Sequence, residues 1–147
     1  MTKMRKAPSS GAAGTFALIV AAAGVILGPA TAHAAGHQVT YTITSTGELT
    51  GNVRYMNSDP PSQGAFDANS SQFMNTVPTA FSPGRPLVYN ATLANPNQWA
   101  YVNASGGCHW PNCGAATPEL HCEIAVDGRV VVTQNATTVV TCSTRPW

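Results

Sequence analysis

The stretch from Cys122 to Cys142 constrains the fold more than any other part of this 147-residue chain. It is rich in β-branched residues, runs Cys-Glu-Ile-Ala-Val before Asp127-Gly128, and continues Arg-Val-Val-Val-Thr after it. Asp-Gly between apolar runs is the signature of a two-residue hairpin turn. Four cysteines allow three pairings, and the expected set is Cys108–Cys113 with Cys122–Cys142. If Asn135-Ala136 formed a second tight turn, Cys122, Ile124, Val126, Val131, Val140 and Cys142 would share one face of a three-stranded meander. That register leaves the two cysteines about 17 Å apart, at about 3.4 Å per residue and about 4.8 Å per strand. A disulfide needs Cα atoms within about 7 Å. Keeping both the Asp-Gly turn and the disulfide requires the last strand to leave the meander, and it is expected to cross to a second sheet.

The rest of the chain reads as strands too. His37 to Thr46 alternates, with Val39, Tyr41 and Ile43 on one face and Thr40, Thr42 and Thr44 on the other, the period of a half-buried strand. Gly51–Met56 reads as a second strand with Val53 and Tyr55 inward, and residues 57–70 read as a loop rich in turn formers. Shorter strands are expected near Gln72–Val77, Pro86–Thr92 and Gln98–Asn103, with Trp99 in the core, and an irregular stretch follows at Gly106–Pro118. No segment after the first 34 residues shows helical periodicity. Seven or eight short strands separated by turn signals indicate an all-β antiparallel sandwich, with a small closed barrel as the alternative.

The first 34 residues differ in kind. Lys3, Arg5 and Lys6 precede the uncharged apolar run Phe16–Leu27, Pro29 follows, and Ala32-His33-Ala34 offers the small-x-small pattern of a signal peptidase site. The expected division is a signal over residues 1–34, cleaved after Ala34 or else after Ala32, and a secreted domain over residues 35–147. An uncleaved membrane anchor is the rival, but the apolar run is short for a span of about 20 residues. Residues 35–147 hold four arginines and no lysine against six carboxylates, a net charge of four minus six, or −2. That balance leaves no surplus for a phosphate backbone and excludes nucleic acid as the expected partner. All four cysteines fall in the exported part, where disulfides persist.

From Cys122 onward the residues resemble a known family. Cys122-Glu123-Ile124-Ala125-Val126-Asp127-Gly128-Arg129-Val130 with Cys142, the opening Val39-Thr40-Tyr41-Thr42-Ile43, and Gly51-Asn52-Val53-Arg54-Tyr55 are similar to the extracytoplasmic domain of the mycobacterial MmpS family. These are small accessory membrane proteins of lipid and siderophore exporters. The resemblance covers most of residues 38–143 and implies an immunoglobulin-like sandwich with Cys122 and Cys142 bonded. Two features depart from it: a cleavable signal replaces the family's membrane helix, and Gly106–Pro118 with its cysteine pair looks inserted.

Several side-chain groups merit a place in the structure. Cys108-His109-Trp110-Pro111-Asn112-Cys113 forms a candidate binding loop presenting His109 and Trp110. Cys108, His109, Cys113, His121 and Cys122 are an alternative zinc set, opposed by loose spacing and an oxidising compartment. Glu119, His121 and Glu123 share one face of a strand and read as a solvated polar face rather than an acid–base site. A mature start at Ala35-Gly36-His37 would offer amine, amide and imidazole nitrogens to Cu(II) or Ni(II) in a square plane, with His37 as the metal ligand. No nucleophile elbow, zinc-protease or phosphate-loop motif occurs. The functional expectation is a secreted or cell-envelope, non-enzymatic binding or accessory module whose partner is an envelope lipid or a membrane transporter component. A secreted enzyme is the alternative.

Overall fold

The computed structural model of the chain describes residues 35–109, 111, 113–114 and 116–146. The signal expected over residues 1–34 lies outside them. Among the described residues no helix is long and apolar enough to cross a membrane.

Among the described residues eight strands form two four-stranded antiparallel sheets packed face to face, the expected immunoglobulin-like sandwich at the level of architecture. In the first sheet β1 (His37–Ser45) is central, flanked by β4 (Leu87–Leu93) and β6 (Glu119–Val126), and β7 (Arg129–Thr137) follows at the edge. In the second, β2 (Leu49–Met56) and β5 (Tyr101–Gly107) are central, between β3 (Met74–Phe81) and β8 (Val139–Ser143) at the edges. The chain passes between sheets five times: after β1, β3, β4, β5 and β7.

The alternation of β1 explains its place. Val39, Tyr41 and Ile43 are fully buried while the threonines between them face out. Cys122, Ile124 and Leu120 of β6 pack against them from one side, Ala91 and Leu93 of β4 from the other. Val53, Val102, Ala104, Val140 and Cys142 close the core from the second sheet. The Tyr41 hydroxyl donates to the Met56 carbonyl on the opposite sheet at 2.9 Å, so the buried phenol is satisfied. Burial holds that phenol well above its ordinary titration range. Tyr41 also meets Tyr55, ring centroids 5.5 Å apart, and Tyr55 stacks on Tyr89 at 4.9 Å. Where β2 and β5 cross the glycine at position 51, a Cβ would come 1.8 Å from the Ser105 carbonyl oxygen, so only glycine fits.

The Cys122 to Cys142 segment folds as expected. Asp127 and Gly128 both take positive φ, 50° and 80°, as a type I′ hairpin demands. β7 ends at Thr137, and at Thr138, φ 68°, the chain turns into the second sheet, with the Gly106 amide donating to the Thr138 carbonyl at 2.8 Å. Cys142 on β8 thereby reaches Cys122 on β6, Cα atoms 6.0 Å apart, as a disulfide between the sheets. Cys108 and Cys113 form the second disulfide, Cα atoms 5.1 Å apart.

Three expectations need correction. Val131 is 45% exposed rather than inward, because a β-bulge shifts the pairing from Ile124–Val132 to Ala125–Val130 and leaves Val131 unpaired. The connection read as loop holds helix α1 (Gln63–Ala68) and a 3₁₀ turn at Ser70–Gln72. Ser62 caps α1 by accepting from the Ala65 amide at 3.1 Å. Helix α2 (Pro96–Trp99) replaces the start of the expected Gln98–Asn103 strand. Trp99 and Ala100 are therefore both buried and Tyr101 is half-buried, since the period of two begins only after the helical turn. One or two helical turns are too short to show periodicity in sequence.

Candidate functional site

The inward run of Val53 and Tyr55 on β2 places Arg54 and Met56 on the outer face of the second sheet. Across the ladder Met56 meets Met74, and Arg54 meets Thr76 on one side and Asn103 on the other. Met56 and Met74 are nevertheless buried, because the connection carrying α1 and the 3₁₀ turn lies over them with Phe66 and Phe73 packed down. Asp59 ties this connection to the start of α2, its two oxygens accepting from the amides of Ala94 at 2.7 Å and Asn95 at 2.9 Å. Phe66 tilts against Trp99 with centroids 5.9 Å apart. The Arg145 guanidinium lies 4.8 Å over the Trp99 ring and donates to the Gln63 side-chain carbonyl.

An open hollow of about 250 Å³ remains at the edge of this cover, lined by Arg54, Phe66, Ser70, Met74 and Tyr101. Arg54 is exposed, and its guanidinium is placed against the Met74 sulfur at 3.8 Å, a weak acceptor. Among the described residues no carboxylate pairs with Arg54, and the His37–Asp127 ion pair belongs to the first sheet. On the other side of Tyr101 a second hollow of about 480 Å³ is lined by Val132, Gln134, Thr141, Ser143, Thr144 and Arg145, among others. Two of the four arginines of residues 35–147 therefore flank one half-buried tyrosine.

The residues singled out from sequence are dispersed. His109 is exposed and lines a shallow hollow of about 280 Å³ with Glu48, Thr50 and Phe81, while Trp110 lies outside the described residues. The zinc alternative loses its thiolates to the two disulfides, and among the described residues no cluster of His, Cys, Asp and Glu could hold a metal. Glu119, His121 and Glu123 lie along the outer face of the first sheet, where His121 Nδ1 is 2.6 Å from Asn135 Oδ1. His37 Nδ1 is 2.6 Å from Asp127 Oδ2, and the Gln38 amide donates to Asp127 Oδ1 at 2.9 Å. The hydrogen bond from His37, then that from Gln38, holds the Asp127 carboxyl below the usual carboxylate range. A square-planar copper or nickel site at Ala35-Gly36-His37 would require this imidazole to leave Asp127 and His37 to leave its place beside Leu93 on β4.

The family model of the Rv2576c beta-sandwich domain matches residues 41–142. The chain belongs to this family. The uncharacterized protein Rv2576c of Mycobacterium tuberculosis is 54% identical over 147 residues, all of this chain and 91% of that protein. The uncharacterized protein Mb2606c of Mycobacterium bovis matches with the same identity and the same coverage. The span matched by the Rv2576c family model contains both disulfides and the whole Arg54, Phe66, Ser70, Met74 and Tyr101 hollow. His37 and Arg145 fall outside it, so the copper candidate and the second arginine lie beyond the family's matched domain.

Sequence reasoning found the inward Tyr41 and Tyr55 but neither the outward place of Tyr101 nor the hollow. Its residues come from β2, the connection, β3 and β5, and only the sheet pairing with the helical cover brings them together. Arg54 did carry a signal: an arginine between two inward positions of a strand must face outward.

Proposed function

We propose that this chain is an extracytoplasmic, non-enzymatic binding module, with the hollow beside Tyr101 as its contact surface. The observation that carries the reading is a guanidinium that, among the described residues, has no carboxylate partner and is set among aromatic and thioether walls in an open hollow. Such a combination of apolar lining and one placed charge suits recognition of a ligand. The two disulfides support an oxidising compartment. The similarity of Cys122–Val130 and Val39–Ile43 to the MmpS extracytoplasmic domain supports a role alongside an envelope lipid or a transporter component.

Two measurements test the reading. Expressed in a mycobacterial host, the protein should appear in the envelope or the medium as a shortened chain starting at Ala35 and refractory to thiol labelling. A full-length, thiol-reactive chain in the cytosol would overturn the compartment. Amide-shift mapping of the oxidised protein against small apolar, anionic and saccharide probes should concentrate on Arg54, Phe66, Met74 and Tyr101. Shifts confined to the threonine face of the first sheet, with none at these four, would overturn the contact surface.

A further inference from the structure

We propose that the Arg54 hollow takes an anionic, single-chain amphiphile, with its carboxylate on the Arg54 guanidinium and its alkyl chain running between Phe66 and Met74 and over Tyr101. This inference deepens the binding-module reading and rests on it.

Charge comes first. Arg54 stands on a domain of net charge −2, so a cationic point on its surface is local rather than general. A guanidinium presents five donors in a planar fork that matches a carboxylate in two parallel hydrogen bonds. Among the described residues the fork meets the Met74 sulfur, at 3.8 Å through one nitrogen.

The walls decide what accompanies the charge. Met74 is buried, Phe66 and Tyr101 are half-buried, and Ser70 supplies one hydroxyl. A thioether beside two aromatic rings makes an adaptable apolar surface suited to a flexible chain. A saccharide would need several convergent polar groups, and the lining offers few. An acidic peptide would bring a backbone whose amides and carbonyls find little to bind here.

Size fixes the manner of binding. At about 250 Å³ the hollow lies below the usual range for a whole enclosed ligand, so it holds a head group and the first carbons. The chain then continues past Tyr101 toward the second hollow, about 480 Å³, along Val132 and Thr141. Tyr101 borders both hollows and is the point over which any ligand reaching from one to the other must pass.

The test titrates the oxidised protein with laurate below its micelle concentration, followed by amide shifts and calorimetry. Dodecanol provides the same chain without charge, butyrate the same head without a long chain, and a short acidic peptide the charge on a different body. Laurate should shift Arg54, Phe66, Met74 and Tyr101. Arg54→Gln should weaken laurate at least tenfold while leaving dodecanol unchanged, and Arg54→Lys should restore part of the difference. Arg54 is exposed, so an unchanged melting temperature verifies that each variant is folded. Equal laurate affinity in the wild type and Arg54→Gln would overturn the head-group assignment, as would dodecanol binding as tightly as laurate; the contact surface itself would stand. Butyrate or the acidic peptide matching laurate would overturn the amphiphile. If none of these probes moved the four residues, both the inference and the contact surface would fall.

Discussion

Removing the disulfide between the sheets is the sharpest test of how this fold is held. Cys122 and Cys142 are both fully buried, lie on different sheets, and close a loop of sequence separation 20. For a loop of that length the chain-entropy model gives about 11 cal/mol/K, or about 3 kcal/mol at 25 °C. Replacing both residues by alanine adds a cavity penalty, so the cleaner perturbation is reduction. In a Cys108→Ala, Cys113→Ala background only the inter-sheet bond responds to reductant. Urea unfolding of the oxidised and reduced forms, followed by circular dichroism, should differ by about 3 kcal/mol, a midpoint shift of roughly 1–3 M. The same equation puts the five-residue Cys108–Cys113 link at about 2 kcal/mol, as a ceiling, since both cysteines lie outside the paired strands. An oxidised-to-reduced difference below about 1 kcal/mol would refute the reasoning, because the link would then add little to what strand pairing already imposes.

Three further outcomes are expected. Thr138→Gly should stabilise the protein by about 0.5–1 kcal/mol and raise the melting temperature, because an exposed β-branched residue at φ 68° carries strain that glycine does not; a lower melting temperature would show that the Thr138 side chain contributes more than its backbone costs. Tyr41→Phe should cost about 1–2 kcal/mol in urea unfolding by leaving the Met56 carbonyl without its partner, and a loss under about 0.3 kcal/mol would contradict that. Because the folded Asp127 pKa is depressed, its contribution is present above the ordinary aspartate value near 4 and disappears as pH falls through the folded value; the stability gap between wild type and Asp127→Asn should therefore narrow in acid, and a gap independent of pH would refute the link to His37.

The legible parts of this fold are those whose geometry is local or covalently constrained. The alternation of Val39, Tyr41 and Ile43 identifies β1, and Asp127-Gly128 identifies the β6–β7 turn. The crossing of β8 follows from the conflict between a flat meander and the reach of a disulfide. Three kinds of feature escaped. The short helices depend on contacts distant in sequence, such as Asp59 holding the amides of Ala94 and Asn95. The hollow depends on β2, β3 and β5 being neighbours and on α1 lying over Met56 and Met74, a pairing that no periodicity specifies. The bulge at Val131 is a third case, since Val130-Val131-Val132 offers three equivalent residues for two inward places.

The five passages between sheets bear on how the molecule comes to exist. β1, first of the eight strands to be synthesised, sits at the centre of its sheet and waits for β4 and then β6, while β5 waits for β8 at the far end of the sequence. The first sheet is incomplete until β7 and the second until β8, and outside the β6–β7 hairpin the strand pairings join segments far apart in the chain. High contact order of this kind slows folding. A polypeptide with this wiring remains threadable until its last strand has emerged, and the Cys122–Cys142 bond can then lock both sheets at once.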